Sequence, residues 1–555
     1  MSRSGGQVVV ETLLAHGVRT VFTVPGESFL PVLDALYDVP DIDVVATRHE
    51  EGAGFAAEAF AKATGRPGVC MVTRGVGSTN AGIAIHTAMQ DATPLVVFVG
   101  QVGTDHKWRE AFQELDLPHA FSGIAKAALE IPKPERVGEL VSQAFRIATT
   151  GRPGPVIVGL PEDVLYGAAD GFTPFVTDVR PPGMRAADRD EIAGKLLAAE
   201  RPVMIVGREL LKEGCTDAAV RLSEAMALPV YTAFRRFDAF PNDHANYAGN
   251  VSLGTPKRAV AGLYEADLVL VVGDRLDEIT SHGYELDLSG ADVVHVASDA
   301  ALLGNWRFPS VGVVASAREF LAGLVTVSSI ANADLGAERV AWARRCRETY
   351  EAVSAYERPF PEDAGAVNLS AAMASLRRLA PPDTALVTDA GNFSAWVPRY
   401  FPFVQPGTHF GPISGAMGYA VPAAVGISLA DPNRSVVALA GDGGFAMTMN
   451  ELAVASARNL PIVFLVFVNE LYATIRMHQE RHFPGRPVAT DLHNPSFVTI
   501  AEAHGIVAWR ATSNASFDEA LGAALAARSP VLIEVREGGE KLAAWRPEAV
   551  LDTSR

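Results

Sequence analysis

Short apolar runs alternate with longer amphipathic stretches in three blocks of the chain, which span residues 1–165, 186–328 and 366–540. The apolar runs have the length of buried strands, and they are residues 18–26, 68–73, 94–100 and 154–161 in the first block, 202–207, 267–273 and 291–297 in the second, and 385–391, 435–444, 461–469 and 530–535 in the third. Strands that alternate with helices form parallel sheets with helices on their faces. The pattern therefore predicts three consecutive α/β domains, each a doubly wound parallel sheet.

The stretches between the blocks have a different composition. Residues 166–185 are polar and contain several prolines and glycines, which indicates a linker. Residues 337–353 are charged, have helical spacing and lead into the third block. The length of 555 residues agrees with about three domains of ordinary size.

Charge and cysteine content narrow the class of protein. The formal net charge of −17 argues against a nucleic acid or an anionic membrane as the main partner. The cysteines Cys70, Cys215 and Cys346 lie far apart and fit no zinc-binding spacing. The longest apolar run, residues 462–468, is far too short to span a bilayer, and the N-terminal stretch has no signal-type apolar region. We expect a cytoplasmic protein.

One motif in the third block has the residue types of a phosphate and metal site. An apolar strand ends in residues 441–444 (GDGG), and the next apolar strand ends at Asn469, 27 residues after Asp442. Glycines let the backbone approach a phosphate closely, and carboxylate and amide oxygens suit Mg²⁺. Turns of glycine and aspartate are common, so the tetrapeptide alone is weak evidence. The second strand tip strengthens it, because a strand–helix–strand crossover brings both tips to one edge of the sheet.

The segment from residue 441 to Asn469 resembles the diphosphate and metal motif of thiamine diphosphate enzymes. This resemblance implies bound thiamine diphosphate and Mg²⁺, with Asp442, Asn469 and the main-chain carbonyl of Leu471 as metal ligands. Residues 48–53 and 75–80 of the first block resemble the corresponding segments of the large catalytic subunit of acetolactate synthases. The resemblance aligns Glu50 with the glutamate that activates the cofactor in those enzymes. A carboxylate there holds a proton on N1′ of the aminopyrimidine and so favours deprotonation of the thiazolium. Taken alone, Glu50 is more typical of an ordinary acid at a helix start, and only its combination with the motif of the third block favours the activating role.

The resemblance covers essentially the whole chain, in the order pyrimidine-binding, central Rossmann-like and diphosphate-binding domain. Met417 is the candidate for the apolar residue that supports the bent cofactor, although a core methionine is nearly as common at such a position. The cofactor-binding candidates are Glu50, Gly391, Asn392, Phe393, Gly415, Met417, Gly441, Asp442, Gly443, Gly444, Asn469, Leu471 and Tyr472. In this superfamily the cofactor lies between two subunits, which implies a homodimer or a dimer of dimers (a homotetramer).

Several positions depart from acetolactate synthases. Glu27 stands where those enzymes have glycine and pyruvate decarboxylases have an acid, and Gln113 matches the synthase pattern. We take Glu50, Gln113, Glu27 and Gly26 as the catalytic candidates; Glu27 could also be an ordinary acid at a helix N-terminus. The central block lacks the Met-His-Gly stretch associated with FAD, and residues 207–209 are a poor glycine-rich loop, so we do not expect FAD.

The resemblance implies a carboligase, which decarboxylates a 2-oxo acid and joins the resulting enamine to a second carbonyl. After the metal Asn, acetolactate synthases usually carry a glycine and later a tryptophan that shapes the second-substrate pocket, and this chain has Ala473 and His478 there. These changes and Glu27 leave a 2-oxo acid decarboxylase or C–C lyase without ligation as the alternative. A non-enzymatic homologue is a third class. Joint retention of Glu50, Asp442 and Asn469 argues against it, because a protein without activity has no chemical need for the activating acid.

Overall fold

The computed structural model describes residues 2–170, 173–356, 360 and 365–538. Residue 1 and residues 539–540 of the expected domain ranges lie outside the described residues. Within the described part, the strands form three six-stranded sheets in which all neighbouring strands are parallel, so the predicted fold class is confirmed. Among these residues every helix is too short or too polar to span a bilayer.

The first sheet has the strand order β2-β1-β3-β4-β6-β5. Its strands are β1 (Thr20–Thr23), β2 (Asp43–Ala46), β3 (Gly68–Thr73), β4 (Leu95–Gln101), β5 (Ala127–Glu130) and β6 (Pro155–Pro161). The helices around it are α1 (Gly5–Ala15), α2 (Leu30–Tyr37), α3 (Glu50–Thr64), α4 (Arg74–Asn80), α5 (Gly82–Asp91), α6 (Leu117–Phe121), α7 (Val137–Thr149) and α8 (Glu162–Tyr166).

The second sheet has the order β12-β11-β10-β7-β8-β9, which is the strand order of a dinucleotide-binding fold. Its strands are β7 (Pro202–Val206), β8 (Val230–Thr232), β9 (Tyr247–Asn250), β10 (Leu268–Val272), β11 (Asp292–Ala297) and β12 (Val311–Val314). Its helices are α9 (Ala186–Ala198), α10 (Arg208–Glu213), α11 (Thr216–Met226), α12 (Ala261–Glu265), α13 (Ala317–Val325), α14 (Ser328–Ala331) and α15 (Ala337–Ser354).

The third sheet repeats the topology of the first, with the order β14-β13-β15-β16-β18-β17. Its strands are β13 (Ala385–Thr388), β14 (His409–Phe410), β15 (Val436–Gly441), β16 (Ile462–Val468), β17 (Val507–Ala511) and β18 (Val531–Arg536). Its helices are α16 (Leu369–Leu379), α17 (Trp396–Tyr400), α18 (Ala420–Ala430), α19 (Asp442–Thr448), α20 (Leu452–Ala457), α21 (Ala473–His482), α22 (Phe497–Ala503) and α23 (Asn514–Ala526). Short 3₁₀ helices lie at Glu27–Phe29, Thr104–His106, Pro134–Arg136, Lys257–Val260, Ala300–Leu302, Asn392–Ala395 and Met449–Glu451.

Helices α3 and α18 join the first and third domains. Both are rich in small residues, and a Cβ added at Gly426 of α18 would lie 2.1 Å from the carbonyl oxygen of Ala56 on α3. The two backbones therefore touch, and one hydrophobic core runs through both domains. Because α3 begins at Glu50, this packing fixes where that carboxylate lies.

Buried charges connect the first domain to the second. Asp91 accepts from Arg236 over 2.6 Å and pairs with Lys62 over 3.1 Å. These two cations hold the pKa of Asp91 well below its usual range despite its complete burial. An uncompensated charge here would be costly, so the network requires the domains to keep one arrangement.

Candidate active site

Three loops of the third domain meet at the carboxyl edge of its sheet. They follow β13, β15 and β16, which are adjacent in the sheet, and Gly441 pairs with Phe467 in the register of β15 and β16. The strand order changes direction between β13 and β15, and ligands of open α/β sheets bind at such a point. Asp442 and Asn469 thus lie at neighbouring strand tips, as the crossover argument predicts.

The Asp442 carboxylate is held by several donors at this edge. It is the first residue of α19 and only 3% exposed. Its Oδ2 accepts from the backbone N–H of Glu470 over 2.7 Å and from Nδ2 of Asn494 over 2.9 Å. Burial nevertheless raises the pKa of Asp442 above its ordinary value. A fixed, largely desolvated carboxylate of this kind favours a hard cation beside it.

The amide of Asn469 is fixed at both ends. Its Oδ1 accepts from the backbone N–H of Leu471 over 3.0 Å, and its Nδ2 donates to a carboxylate oxygen of Glu537. Leu471 and the next residue, Tyr472, are held by a short antiparallel contact with residues 490–491. The loop after β16 carries the main-chain carbonyl of Leu471, which is an expected metal ligand. Contacts on both sides of Leu471 therefore hold this loop in place.

Two glycines of this edge are required by close packing, and one buried side-chain donor nearby is unsatisfied. A Cβ added at Gly443 would lie 2.7 Å from the Tyr472 ring, and one added at Gly444 would lie 2.9 Å from Asp389. The Nδ2 atom of Asn392 is buried and has no hydrogen-bond partner within the described part of the chain, while its Oδ1 accepts from Thr474 over 2.8 Å. An unsatisfied donor of this kind requires an acceptor, and a diphosphate oxygen supplies one. The residues present therefore fit a diphosphate with its metal.

The remaining cofactor candidates of this domain border the same loops. Gly391 has a φ of 150°, and the Phe393 ring stacks on Phe467 with centroids 5.4 Å apart. Met417 is half-buried. Gly415 has a φ of 69°, a left-handed conformation that a side chain would strain. The buried Asp389 carboxylate accepts from the backbone N–H of Gly418 over 3.1 Å and so ties the loop after β13 to the segment that carries Met417.

Glu50 lies in the first domain, at the start of α3, and is 9% exposed. Its Oε2 accepts from Nδ2 of Asn80 over 2.9 Å, and a Cβ added at Gly77 would lie 3.2 Å from its Oε1. The neighbouring Glu51 points toward the third domain. Burial, and secondly the negative charge of Asp389, raise the pKa of Glu51 to about 7.

Arg74 connects the other catalytic candidates of the first domain. It is 8% exposed, and its guanidinium donates to Glu162 over 3.0 Å and to the backbone carbonyl of Phe112 over 3.2 Å. It also lies 4.0 Å from the Glu27 carboxylate, which is otherwise exposed. The backbone N–H of Gly75, the residue after Arg74, donates to the backbone carbonyl of Gln113. Arg74 therefore borders both Glu27 and the Gln113 loop.

Gly26, beside Glu27, packs against the end of β3, where an added Cβ would lie 2.4 Å from Thr73. Glycine is therefore required at this position for a steric reason. The candidates thus form two groups, one at the carboxyl edge of the first sheet and one at the carboxyl edge of the third. Sequence reasoning named Glu51 and Asn80 only as parts of motifs, and it did not find Glu537 or Asn494; no spacing signal marks the contacts of these last two.

Models of one protein family match the chain in three successive segments. Residues 3–120 match the N-terminal TPP binding domain of thiamine pyrophosphate enzymes, residues 189–324 match their central domain, and residues 389–535 match their C-terminal TPP binding domain. The chain belongs to the thiamine pyrophosphate enzyme family. Thiamine pyrophosphate is another name for thiamine diphosphate, so the predicted family and the predicted cofactor are confirmed.

Relatives extend the similarity over nearly the full chain. The probable acetolactate synthase large subunit of Methanocaldococcus jannaschii is 31% identical over 544 residues, which cover 96% of this chain and 91% of the relative. The acetolactate synthase large subunit of Corynebacterium glutamicum is 32% identical over 522 residues, 92% and 82% of the two chains. The acetolactate synthase isozyme 2 large subunit of Escherichia coli is 30% identical over 537 residues, 96% and 95%. The roles of single residues stay predictions.

Proposed function

We propose that this enzyme uses thiamine diphosphate and Mg²⁺ to decarboxylate a 2-oxo acid and to join the remaining fragment to a second carbonyl compound. The observation that carries the proposal is the presence, in one chain, of a buried acid at Glu50 and a phosphate- and metal-compatible edge at Asp442 and Asn469. The similarity to acetolactate synthases favours ligation over the decarboxylase alternative.

The metal site uses oxygen atoms of the third domain. The Asp442 carboxylate, Oδ1 of Asn469 and the main-chain carbonyl of Leu471 would hold Mg²⁺, which prefers such ligands and keeps phosphate oxygens in its shell. The unsatisfied Nδ2 of Asn392 would donate to a diphosphate oxygen. Holding the diphosphate in this way anchors the cofactor and leaves its reactive ring free.

When bound, the cofactor supplies a nucleophilic carbon that accepts the electrons released by decarboxylation. Glu50 would hold the proton on N1′ of the aminopyrimidine. The hydrogen bond from Asn80 fixes one carboxylate oxygen of Glu50 and leaves the other for that contact. Because the carboxylate is buried, water competes little with this interaction.

Glu27, Arg74 and Gln113 border the substrate. The Glu27 carboxylate would relay protons to and from the reacting carbonyl, and Arg74 would hold its charge and orientation. The Gln113 loop, fixed by the bond from Arg74 to the Phe112 carbonyl, would orient the second substrate. The ion pairs of Arg74 with Glu27 and Glu162 hold this side of the proposed pocket in place.

The proposal includes a homodimer in which the first domain of one subunit and the third domain of the other enclose the cofactor. Exposed apolar side chains near both candidate groups support it: Val76, Ile83 and Phe112 near the first, and Met447, Ile475 and Phe483 near the second. Apolar side chains left exposed around a site are often covered in a protein–protein contact. Light scattering of the purified protein with cofactor measures the subunit number, and a monomer under turnover conditions would contradict this part.

We also propose that the enzyme works without FAD, because acids crowd the tip of the crevice between β7 and β10. The Glu209 carboxylate fills the tip of this crevice, where its Oε1 accepts from the hydroxyl of Ser298 over 2.5 Å. A Cβ added at Gly207 would lie 2.5 Å from Asp274, so a second acid crowds the same tip. Glu209 and Asp274 therefore place two acids where a dinucleotide phosphate would bind. This supports an enzyme that works without FAD.

The test is product analysis by NMR, together with CO₂ release, for the purified protein with thiamine diphosphate and Mg²⁺ over a panel of 2-oxo acids. The proposal predicts CO₂ release and a hydroxyketone product from at least one acid. Aldehyde as the only product would replace ligation by simple decarboxylation. No CO₂ from any acid, with cofactor shown to be bound, would contradict the 2-oxo acid substrate class.

A further inference from the structure

Glu537 lies beside the expected metal ligand Asn469, although 68 residues separate them in sequence. Strands β16 and β18 are paired in parallel, with Val468 opposite Arg536, so the residue after each strand faces the other. The backbone N–H of Glu537 donates to the carbonyl of Val468 over 3.2 Å, which continues the pairing by one step. The sheet register therefore sets this contact.

The Glu537 carboxylate has one oxygen engaged and one free. One oxygen accepts from Nδ2 of Asn469, and the other is buried without a hydrogen-bond partner among the described residues. The neighbouring cation Arg536 does not compensate it, because its guanidinium pairs with Glu470 over 3.1 Å. A partly buried carboxylate so placed is costly unless a positive charge lies nearby.

An asparagine can present either its oxygen or its NH₂ group to a metal. Only the oxygen binds a cation, and the two orientations have almost the same shape. An acceptor behind the NH₂ group selects the orientation in which Oδ1 of Asn469 faces away from Glu537, toward the backbone N–H of Leu471. Partners of this kind orient metal ligands and add charge to the site.

We propose that Glu537 is a positioning residue for the divalent metal, which orients the Asn469 amide and adds a negative charge beside the site. The inference rests on the metal site of the proposed function. It assigns a role to the end of β18, a strand that supplies none of the expected ligands.

The test measures metal affinity without turnover. Mn²⁺ binding is followed by electron paramagnetic resonance on the full chain with saturating thiamine diphosphate and no substrate. Glu537→Ala is expected to weaken Mn²⁺ binding 10- to 100-fold. Glu537→Gln, which keeps an acceptor but loses the charge, is expected to show a smaller loss. The control Glu502→Gln removes an exposed acid on α22 and is expected to bind Mn²⁺ as the wild type does.

The same measurement in a protein that carries Asn469→Asp distinguishes an orienting role of Glu537 from general structural support. Asn469→Asp presents an oxygen in either orientation, so removal of Glu537 in this background is expected to cost only the charge contribution, a loss no larger than that of Glu537→Gln in the wild type. A purely structural role for Glu537 would cost the same in both backgrounds, and that result would overturn the proposal. Wild-type affinity in Glu537→Ala would overturn it as well. Absence of Mn²⁺ binding in the wild type would instead contradict the proposed function.

Discussion

The Nδ2 atom of Asn80 donates a hydrogen bond to Oε2 of Glu50 across 2.9 Å. The two residues come from different helices, α4 and α3, and meet at the carboxyl edge of the first sheet. The bond uses one oxygen of the carboxylate and limits its rotation. The Glu50 carboxylate, the proposed activating acid, thus has a fixed direction before any cofactor contact is made.

Removing this contact tests its importance. Asn80→Ala is expected to lower kcat for CO₂ release by about 10- to 100-fold, because a hydrogen bond to a charged group contributes about 1.5–3 kcal/mol. Cofactor affinity should change little, since the diphosphate group lies elsewhere. Thr79→Ala, which alters an exposed neighbouring hydroxyl, is the control. Equal kcat in wild type and Asn80→Ala would show that Glu50 needs no such support.

Asp442→Ala removes the central oxygen ligand of the proposed metal site. We expect thiamine diphosphate affinity at saturating Mg²⁺ to fall at least about 100-fold, because ligand loss exceeds the 10- to 100-fold effect of outer-shell changes. Fluorescence titration of the cofactor measures this. Glu502→Gln, at an exposed carboxylate on α22, is the control. Unchanged affinity in Asp442→Ala would place the metal elsewhere.

Arg74→Ala tests the side of the proposed substrate pocket that Arg74 holds together. The guanidinium holds Glu162 and the Phe112 carbonyl and lies beside Glu27, so its loss should free all three. We expect kcat/KM for the 2-oxo acid to fall about 10- to 100-fold, in line with loss of a charged hydrogen bond. Cofactor affinity should remain at the wild-type value. The control is Arg146→Ala, at an exposed arginine on α7. A loss of cofactor affinity equal to the loss of kcat/KM would contradict a substrate-side role.

Glu451 predicts a pH dependence of stability. It accepts backbone bonds from Arg48 and His49, and burial raises the pKa of Glu451 from 4.5 to about 7. Between these values the folded protein keeps a proton that the unfolded chain releases. The stability contributed by this group is therefore complete below pH 4.5 and is lost as the pH rises through 7.

Glu451→Gln should remove that dependence. We expect the free energy of unfolding of the wild type to fall by about 3 kcal/mol relative to the variant between pH 4.5 and pH 7. Urea unfolding at several pH values measures the difference. A wild-type-minus-variant difference that stays constant over this range would contradict the raised pKa.

The strands that the sequence predicts are those buried inside each sheet, where long apolar runs are required. The strands it misses lie at or next to a sheet edge: β2, β5, β8, β9, β12, β14 and β17. Some of these strands are partly exposed, as in β17, where only Ala511 is buried, and the fully buried ones, β8, β9 and β14, are four residues long or shorter. Their hydrophobic signal is therefore weak.

The residues of the site also divide into those that the sequence predicts and those that it misses. Asp442 and Asn469 can be found because each follows a strongly apolar strand at a recognisable spacing. Glu537 follows an equally clear strand, yet its contact with Asn469 depends on the pairing of β16 with β18, which spacing does not reveal. The position of Arg74 beside Glu27 likewise depends on the packing of two loops. Partners of functional residues require the assembled sheet order.

The most direct test of the account compares Glu50→Gln with the wild type, measuring thiamine diphosphate affinity and CO₂ release in the same preparation with Mg²⁺. Because glutamine keeps the shape but cannot hold the N1′ proton as the carboxylate does, we expect affinity within a few-fold of wild type. CO₂ release should fall about 10²- to 10⁴-fold. CO₂ release at the wild-type rate would contradict Glu50 as the activating acid and, with it, the proposed mechanism.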